Sequence, residues 1–377
     1  MEFNASRLAI ARKRRGLSKT TLAFESGISL RSLNYYESKV KGIAPSDEHL
    51  SILADKLQFP VEFFFGPDIE PLDCDAASFR ALTKMTASQR ESALAAGTLA
   101  KSLYDWIETR FELPTPDLPS LRGFEPEAAA HVLRTEWGLG ERPIPNTVHL
   151  LESRGVRVFS LPVDSRSVDA FSLWHKKETP FVFLNTKKSA EHARFDAAHE
   201  LGHLTMHTHG VPRSSRKREV ETEADRFAGA LLMPRGDVYG HVPPPSTITI
   251  NVIHRLKKRW GVSAFALAYR LHKLEIITDW QYRSFCVQLS RTGYKSGEPD
   301  GSPRDTSQLL EKVFSALRSE GVTRGVIARD LSLPLAEIDS YLVRLVIASV
   351  SNPKTEGSQP VAFPISARSG KSTLKPV

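Results

Sequence analysis

Most apolar residues of the chain recur every three or four positions, which predicts amphipathic helices over the greater part of its length. Three runs between residues 156 and 186 break this pattern, because they combine β-branched and aromatic residues without a helical period: VRVFSLP, VDAFSLWH and PFVFLNT. Turn-prone or charged residues separate these runs. The pattern therefore predicts a mostly helical α+β protein in which a small sheet interrupts the helices.

The N-terminal region has the hydrophobic pattern and the caps of a helix-turn-helix. Leu8 begins an apolar stripe, Ser18 and Ser29 are suited to cap the second and third helices, and Gly27 lies in the short turn between them, where a positive φ is needed. Helix, short turn and helix is an arrangement that reads DNA. On the outward face of the third helix we predict these DNA contacts: Leu30, Arg31, Ser32 and Tyr35.

A small helical bundle without a DNA role would show much of the same pattern, but the turn, the caps and the basic run RKRRG together favour DNA binding. The segment SDEHLSILADKLQFPVEFFFG predicts two further helices that close the core. The whole region resembles the Cro/C1-type (XRE) repressor domains. The segment SKVKGIAPS is longer than the loop expected in that family, and its two lysines either contact phosphate or belong to a plain loop.

Composition shifts divide the chain into five predicted parts. Residues 1–70 form the helix-turn-helix domain, and 71–122 form a helical linker, with a helix starting at Thr86 and a proline-rich end. Residues 123–295 hold the sheet and several helices, and 303–350 form three more helices, interpreted as a packing or interaction module rather than a second helix-turn-helix. Residues 351–377 lack an apolar period, which predicts a disordered tail.

The segment FDAAHELGHLTMHTH, directly after the predicted sheet, carries the strongest chemical signal. His199 and His203 are four residues apart, so on a helix they share one face, and Ser189 is suited to cap that helix. The motif H-E-x-x-H binds a metal through its two imidazoles and uses the carboxylate, here Glu200, as a base. His207 continues the four-residue spacing but is interpreted as structural rather than functional, because it falls at the end of the helix.

A catalytic zinc takes three protein ligands, so a third must come from a neighbouring element. The following helix, EVETEADRFAGALLMP, offers Glu219, Glu221 and Glu223. We predict Glu221 as the ligand, with Glu223 as the second choice. Asp225, one turn after Glu221, is predicted to orient a ligand histidine as an outer carboxylate.

The segments HELGHLTMH and ETEADRFAGALLMP together resemble the ImmA/IrrE family of zinc metallopeptidases, with the helix-turn-helix fused in front. The resemblance implies a zincin-like endopeptidase domain of the gluzincin type that cleaves a transcriptional repressor during stress or mobile-element induction. It implies zinc ligation by His199, His203 and Glu221, and acid–base catalysis by Glu200. Asp225 stands where many members of the family have asparagine.

Composition adds limits on class and partners. The net charge of +8 permits contact with DNA but does not by itself indicate it. With only Cys74 and Cys286, a disulfide scaffold is not expected. The N-terminus lacks a signal-peptide pattern and no apolar run reaches the length of a membrane span, so we expect a cytoplasmic protein with no membrane partner. A homodimer would suit a reader of two half-sites.

Two functions compete at this point. The intact H-E-x-x-H motif favours an enzyme: a DNA-bound zinc endopeptidase that acts on a repressor or partner regulator. The helix-turn-helix favours a regulator, a transcription factor or antitoxin that uses the zincin domain as a sensor and cleaves nothing. Manganese or iron would also accept imidazole and carboxylate ligands.

Overall fold

The computed structural model of the chain describes residues 2–38, 44–72, 85–161, 170–207, 217–292, 298, 300–346, 367–368 and 371–373. Helices make up most of these residues, and the three runs without a helical period form a small mixed sheet. The predicted mostly helical α+β class is confirmed. Among the described residues no helix is both long and apolar enough to cross a membrane.

The N-terminal helices match the predicted helix-turn-helix. They are α1 (Ala5–Arg14), α2 (Lys19–Ser26), α3 (Leu30–Tyr36) and α4 (Asp47–Leu57). Ser18 accepts a hydrogen bond from the Thr21 N–H, Ser29 accepts one from the Ser32 N–H, and Gly27 has φ +70° in the turn. The last predicted helix is a single 3-10 helix (Val61–Phe65). Residues 39–43 of the SKVKGIAPS segment lie outside the described residues.

A single long helix, α5 (Ala87–Glu108), connects this domain to the rest of the chain. Thr86, where the sequence predicts the start, is its N-cap, and it forms a capping box with Gln89. The buried face of α5 is rich in alanine and contains Gly97. A Cβ atom at Gly97 would lie 2.6 Å from the Leu72 side chain and 3.1 Å from the Phe183 ring. The close approach of α5 to the sheet therefore requires glycine. After a two-residue strand β1 (Phe111–Glu112) follow α6 (Pro126–Glu136) and α7 (Thr147–Ser153).

The sheet consists of β2 (Arg157–Ser160), β3 (Ala170–His175) and β4 (Thr179–Leu184) in the order β2-β4-β3. β2 runs parallel to β4, and β3 pairs antiparallel with the other side of β4, with Ser172 opposite Val182. Among the described residues β3 is therefore an edge strand. The motif helix α8 (Ala190–Met206) and the acidic helix α9 (Lys217–Leu232) follow.

The two faces of the sheet belong to two different cores, which explains why its strands read as continuous apolar runs. On one face a set of aromatic side chains joins the core of the helix-turn-helix and α5: Phe159, Phe171, Phe181 and Phe183. On the other face smaller side chains pack with α8 and α9: Val158, Ala170, Val182 and Leu184. The sheet thus separates the helix-turn-helix from the helix that carries the H-E-x-x-H motif.

The C-terminal half adds helices to both cores. α10 (Arg235–His241), α11 (Ile250–Trp260), α12 (Ala264–Lys273) and α13 (Asp279–Arg291) extend the core around α8 and α9. α14 (Gln308–Ser319), α15 (Arg324–Asp330) and α16 (Leu335–Leu342) join the core of the helix-turn-helix instead. Buried Glu337 on α16 forms an ion pair with Arg14 of α1 and accepts a hydrogen bond from Tyr341. These three helices therefore pack against the N-terminal domain.

The tail was predicted to be disordered. The structure describes two short strands in it, β5 (Ala367–Arg368) and β6 (Lys371–Thr373), and β6 pairs in parallel with β1. Backbone pairing of this kind requires no apolar period of its own, and the disordered tail stays a prediction. The other residues from 347 to 377 lie outside the described residues.

Candidate metal centre

Helix α8 places the two motif histidines side by side. It begins after Ser189, whose hydroxyl accepts a hydrogen bond from the His192 N–H, as the sequence predicts. One turn apart near the end of the helix, the His199 and His203 rings lie with centroids 4.7 Å apart and their Nε2 atoms 3.0 Å apart. Both imidazoles therefore direct their Nε2 atoms to one point.

The acidic helix α9 supplies a carboxylate at that point. Glu221 has one oxygen 3.4 Å from His199 Nε2 and the other 3.6 Å from His203 Nε2. The approach of the two helices depends on Gly202, because a Cβ there would lie 2.9 Å from the Phe227 ring. Glu219, another of the candidates, is exposed on the same helix. Of the three glutamates, Glu221 is the one placed beside both His199 and His203.

The donor set fits a zinc ion. Ligand bonds of about 2.0–2.1 Å in a tetrahedral site place the donor atoms about 3.3 Å apart. The separations among the two Nε2 atoms and the Glu221 oxygens are 3.0, 3.4 and 3.6 Å. Among the described residues this is the one group of three or more potential ligands whose donor atoms all lie within 4.8 Å of one another.

Asp225 lies directly behind His199. Its Oδ1 is 2.9 Å from His199 Nδ1, so the imidazole donates its Nδ1 hydrogen to the carboxylate. Nε2 of His199 is then the nitrogen that faces His203 and Glu221. Burial alone would lower the pKa of His199, but hydrogen bonds to Asp225 and Glu221 outweigh it and raise the pKa to about 10. The same negative charge that attracts a proton here would attract a metal cation.

Glu200 lies on α8, and its side chain is buried where α8 packs against the edge strand β3. The hydroxyl of Ser172 on β3 donates a hydrogen bond of 2.6 Å to Glu200 Oε2. The sequence did not predict this contact, because it depends on how β3 packs against α8. The available signal was a serine between the apolar residues Phe171 and Leu173. The contact directs Oε2 of Glu200 toward β3.

His207 has a more specific environment than the sequence predicts. Its Nδ1 lies 3.0 Å from Nδ1 of His203, and its Nε2 lies 3.0 Å from a carboxylate oxygen of Glu223. Glu223, the second choice as ligand, therefore contacts His207. The spacing of four residues between His203 and His207 was the available signal.

The predicted DNA-contacting residues lie on α3. Leu30 and Tyr35 are 40% and 45% exposed, and Arg31 is exposed with its guanidinium 5.7 Å from the centre of the Tyr35 ring. Ser32 is half-buried, and its hydroxyl lies 2.9 Å from the capping Ser29 hydroxyl. Three of these side chains therefore face solvent, whereas Ser32 takes part in the start of the helix.

Comparison with known families agrees with this architecture. Residues 8–64 match the family model HTH_3, described as helix-turn-helix, and residues 151–272 match Peptidase_M78, described as an IrrE N-terminal-like domain. The first match lies within the predicted domain 1–70, and the second spans the sheet, α8 and α9. No curated protein matches the chain. The chain therefore combines an XRE-type helix-turn-helix DNA-binding domain with a domain of the IrrE/ImmA-like peptidase family M78.

Proposed function

We propose that the chain is a DNA-binding transcriptional regulator whose M78 domain is a zinc-dependent endopeptidase of the gluzincin type. The observation that carries the proposal is the convergence of His199, His203 and Glu221 on one point, with Glu200 on the same helix as the two histidines. The substrate we propose is a repressor or partner regulator that the protein cleaves in a stress or mobile-element response. A cytoplasmic location is part of the proposal, because a helix-turn-helix acts on DNA.

The proposed chemistry assigns one role to each side chain. His199, His203 and Glu221 would hold zinc, which when bound supplies the Lewis acidity that activates water and polarises the scissile carbonyl. Glu200 takes the proton of the attacking water and later delivers it to the leaving amine. Asp225 holds His199 in the tautomer whose Nε2 is free to bind.

The edge strand β3 is the proposed docking site for the peptide. An extended peptide that adds to a sheet edge is bound through main-chain hydrogen bonds. β3 pairs with β4 on one side, and through Ser172 it also contacts Glu200. Among the described residues Ala170 to Leu173 are buried, so a peptide would reach β3 at its end, where Trp174 and His175 are partly exposed.

Ser172→Ala is expected to lower kcat for peptide cleavage by about tenfold or more, because a hydrogen bond to a charged group contributes roughly 1.5–3 kcal/mol. Zinc affinity should stay unchanged, since Ser172 contacts the base and lies outside the donor set. Steady-state kinetics and a zinc titration measure the two effects. The matched control is Ser160→Ala, another buried strand serine, which pairs with Thr186. Equal losses in both variants would contradict a specific role for Ser172.

Arg31→Ala is expected to weaken DNA binding by about 1–3 kcal/mol, the range for loss of an arginine that contacts a base. The probe is duplex DNA from the region upstream of the chain's own gene, and binding is measured by fluorescence anisotropy at several salt concentrations. Arg122→Ala, an exposed arginine outside the helix-turn-helix, is the control. An unchanged affinity for Arg31→Ala would remove this residue from the proposed interface. A homodimer on two half-sites would appear in the same titration as a two-to-one stoichiometry.

The experiment that tests the peptidase assignment is incubation of the zinc-loaded protein with the products of neighbouring genes, with Glu200→Gln as the inactive comparison. Discrete cleavage that depends on Glu200 supports the enzyme. Zinc binding without any Glu200-dependent cleavage supports the alternative, a regulator that uses the zincin domain as a sensor.

A further inference from the structure

The two nitrogens of His203 face different surroundings. Nε2 lies 3.0 Å from His199 Nε2 and 3.6 Å from a Glu221 oxygen, so it is the nitrogen of the donor set. Nδ1 points the other way and lies 3.0 Å from Nδ1 of His207. The tautomer of His203 is therefore linked to whether Nδ1 of His207 donates or accepts a hydrogen bond.

Hydrogen-bond rules determine where the protons lie once His203 acts as a ligand. A neutral imidazole carries one N–H, and a ligand nitrogen needs its lone pair free, so the His203 hydrogen must sit on Nδ1. That N–H donates to Nδ1 of His207, which must then be unprotonated. The hydrogen of His207 consequently lies on Nε2, from which it donates to Glu223 at 3.0 Å.

We propose that Glu223 and His207 form a relay that holds His203 in the tautomer able to bind a cation through Nε2. His207 is thus a positioning residue. The inference rests on the metal site of the proposed function. Each ligand histidine then has a carboxylate behind it: His199 contacts Asp225 directly, and His203 reaches Glu223 through one further imidazole.

The burial and backbone of His207 support this assignment. The side chains of His203 and His207 are only 5% and 13% exposed, so solvent is a poor substitute for their contact. His207 is the cap residue after α8, with φ −107° and ψ 150°. Its backbone N–H still donates to the His203 carbonyl, and its ring centroid lies 5.0 Å from that of His203. Its Nδ1 faces Nδ1 of His203, whereas a third imidazole ligand would face Nε2.

The test is zinc affinity of the full-length protein, measured by competition with a chelating dye. His207→Leu removes the acceptor and is expected to lower the affinity by about 10–100-fold, the usual effect of losing an outer partner of a ligand histidine. His207→Asn places an amide oxygen near the position of Nδ1 and should restore affinity to within about threefold of the unmodified protein. Glu223→Ala keeps His207 as the acceptor but no longer holds its hydrogen on Nε2. The expected loss of zinc affinity is therefore smaller than that of His207→Leu.

Two further readouts separate a relay from other roles. Thermal unfolding of the zinc-free proteins should be alike for His207→Asn and His207→Leu if the residue acts through the metal. Cobalt substitution reports coordination, and an unchanged visible spectrum in His207→Asn is expected. A changed cobalt spectrum in His207→Asn would make His207 a direct ligand and overturn the relay. Unchanged zinc affinity in His207→Leu would also overturn it. Failure of the unmodified protein to bind zinc would instead overturn the metal site itself.

Discussion

Glu200→Gln is expected to lower kcat for cleavage of the protein substrate by about 10²–10⁴-fold, the range for loss of a positioned general base. Glutamine has nearly the same shape and its amide oxygen can still accept the hydrogen bond from Ser172, so the fold around α8 should be retained. Glutamine cannot take a proton from water, which is the role proposed for Glu200. The measurement is single-turnover cleavage of the substrate identified among the neighbouring gene products.

The zinc content of the Glu200→Gln variant shows whether a loss of cleavage comes from the missing base or from weaker zinc binding. Because Glu200 is outside the donor set, Glu200→Gln should bind zinc as tightly as the unmodified protein. The matched control is Glu219→Gln, the same substitution at an exposed glutamate of the neighbouring helix, which should cleave at the normal rate. Cleavage by Glu200→Gln at the rate of the control would remove Glu200 from the mechanism.

Glu221→Ala is expected to weaken zinc binding by more than about 100-fold, beyond the usual effect of losing an outer partner, because a direct ligand is removed. The remaining imidazoles also lose the negative charge that lies 3.4 and 3.6 Å from their Nε2 atoms. Competition with a chelating dye measures the affinity, and peptide cleavage should disappear at zinc concentrations that saturate the unmodified protein.

The chain offers a matched pair for this second experiment. Glu219→Ala removes the same side chain two residues earlier on α9, where it is exposed, and should leave zinc affinity unchanged. Equal zinc affinities for the Glu221 and Glu219 variants would place the third ligand elsewhere and refute the donor set proposed here.

Local sequence signals predicted the parts of the candidate site that lie within one helix. The spacing of His199 and His203 and the cap at Ser189 follow from helix geometry alone, so the structure agrees with them. The choice between Glu221 and its acidic neighbours depends on the rotation of α9 against α8. The close approach of Gly202 to Phe227 is a tertiary contact between these helices that the apolar period does not show.

Contacts between distant elements could not be predicted. Ser172 meets Glu200 because β3 lies against α8, and Glu337 meets Arg14 across more than three hundred residues. The sequence predicted the three C-terminal helices as elements but could not show that they pack against the N-terminal domain. The tertiary arrangement determines such partners, whereas caps and apolar periods report only on neighbours along the chain.

The sheet lies between the DNA-binding helices and the helix that carries the H-E-x-x-H motif. Its aromatic face belongs to the core of the helix-turn-helix, whereas the opposite face packs against α8. Under the proposed function, the enzyme need not leave its operator to act. A regulator bound beside it on the same duplex would be presented at a local concentration far above that in free solution. Occupancy of adjacent DNA sites, rather than affinity for a peptide alone, would then decide which regulator is destroyed.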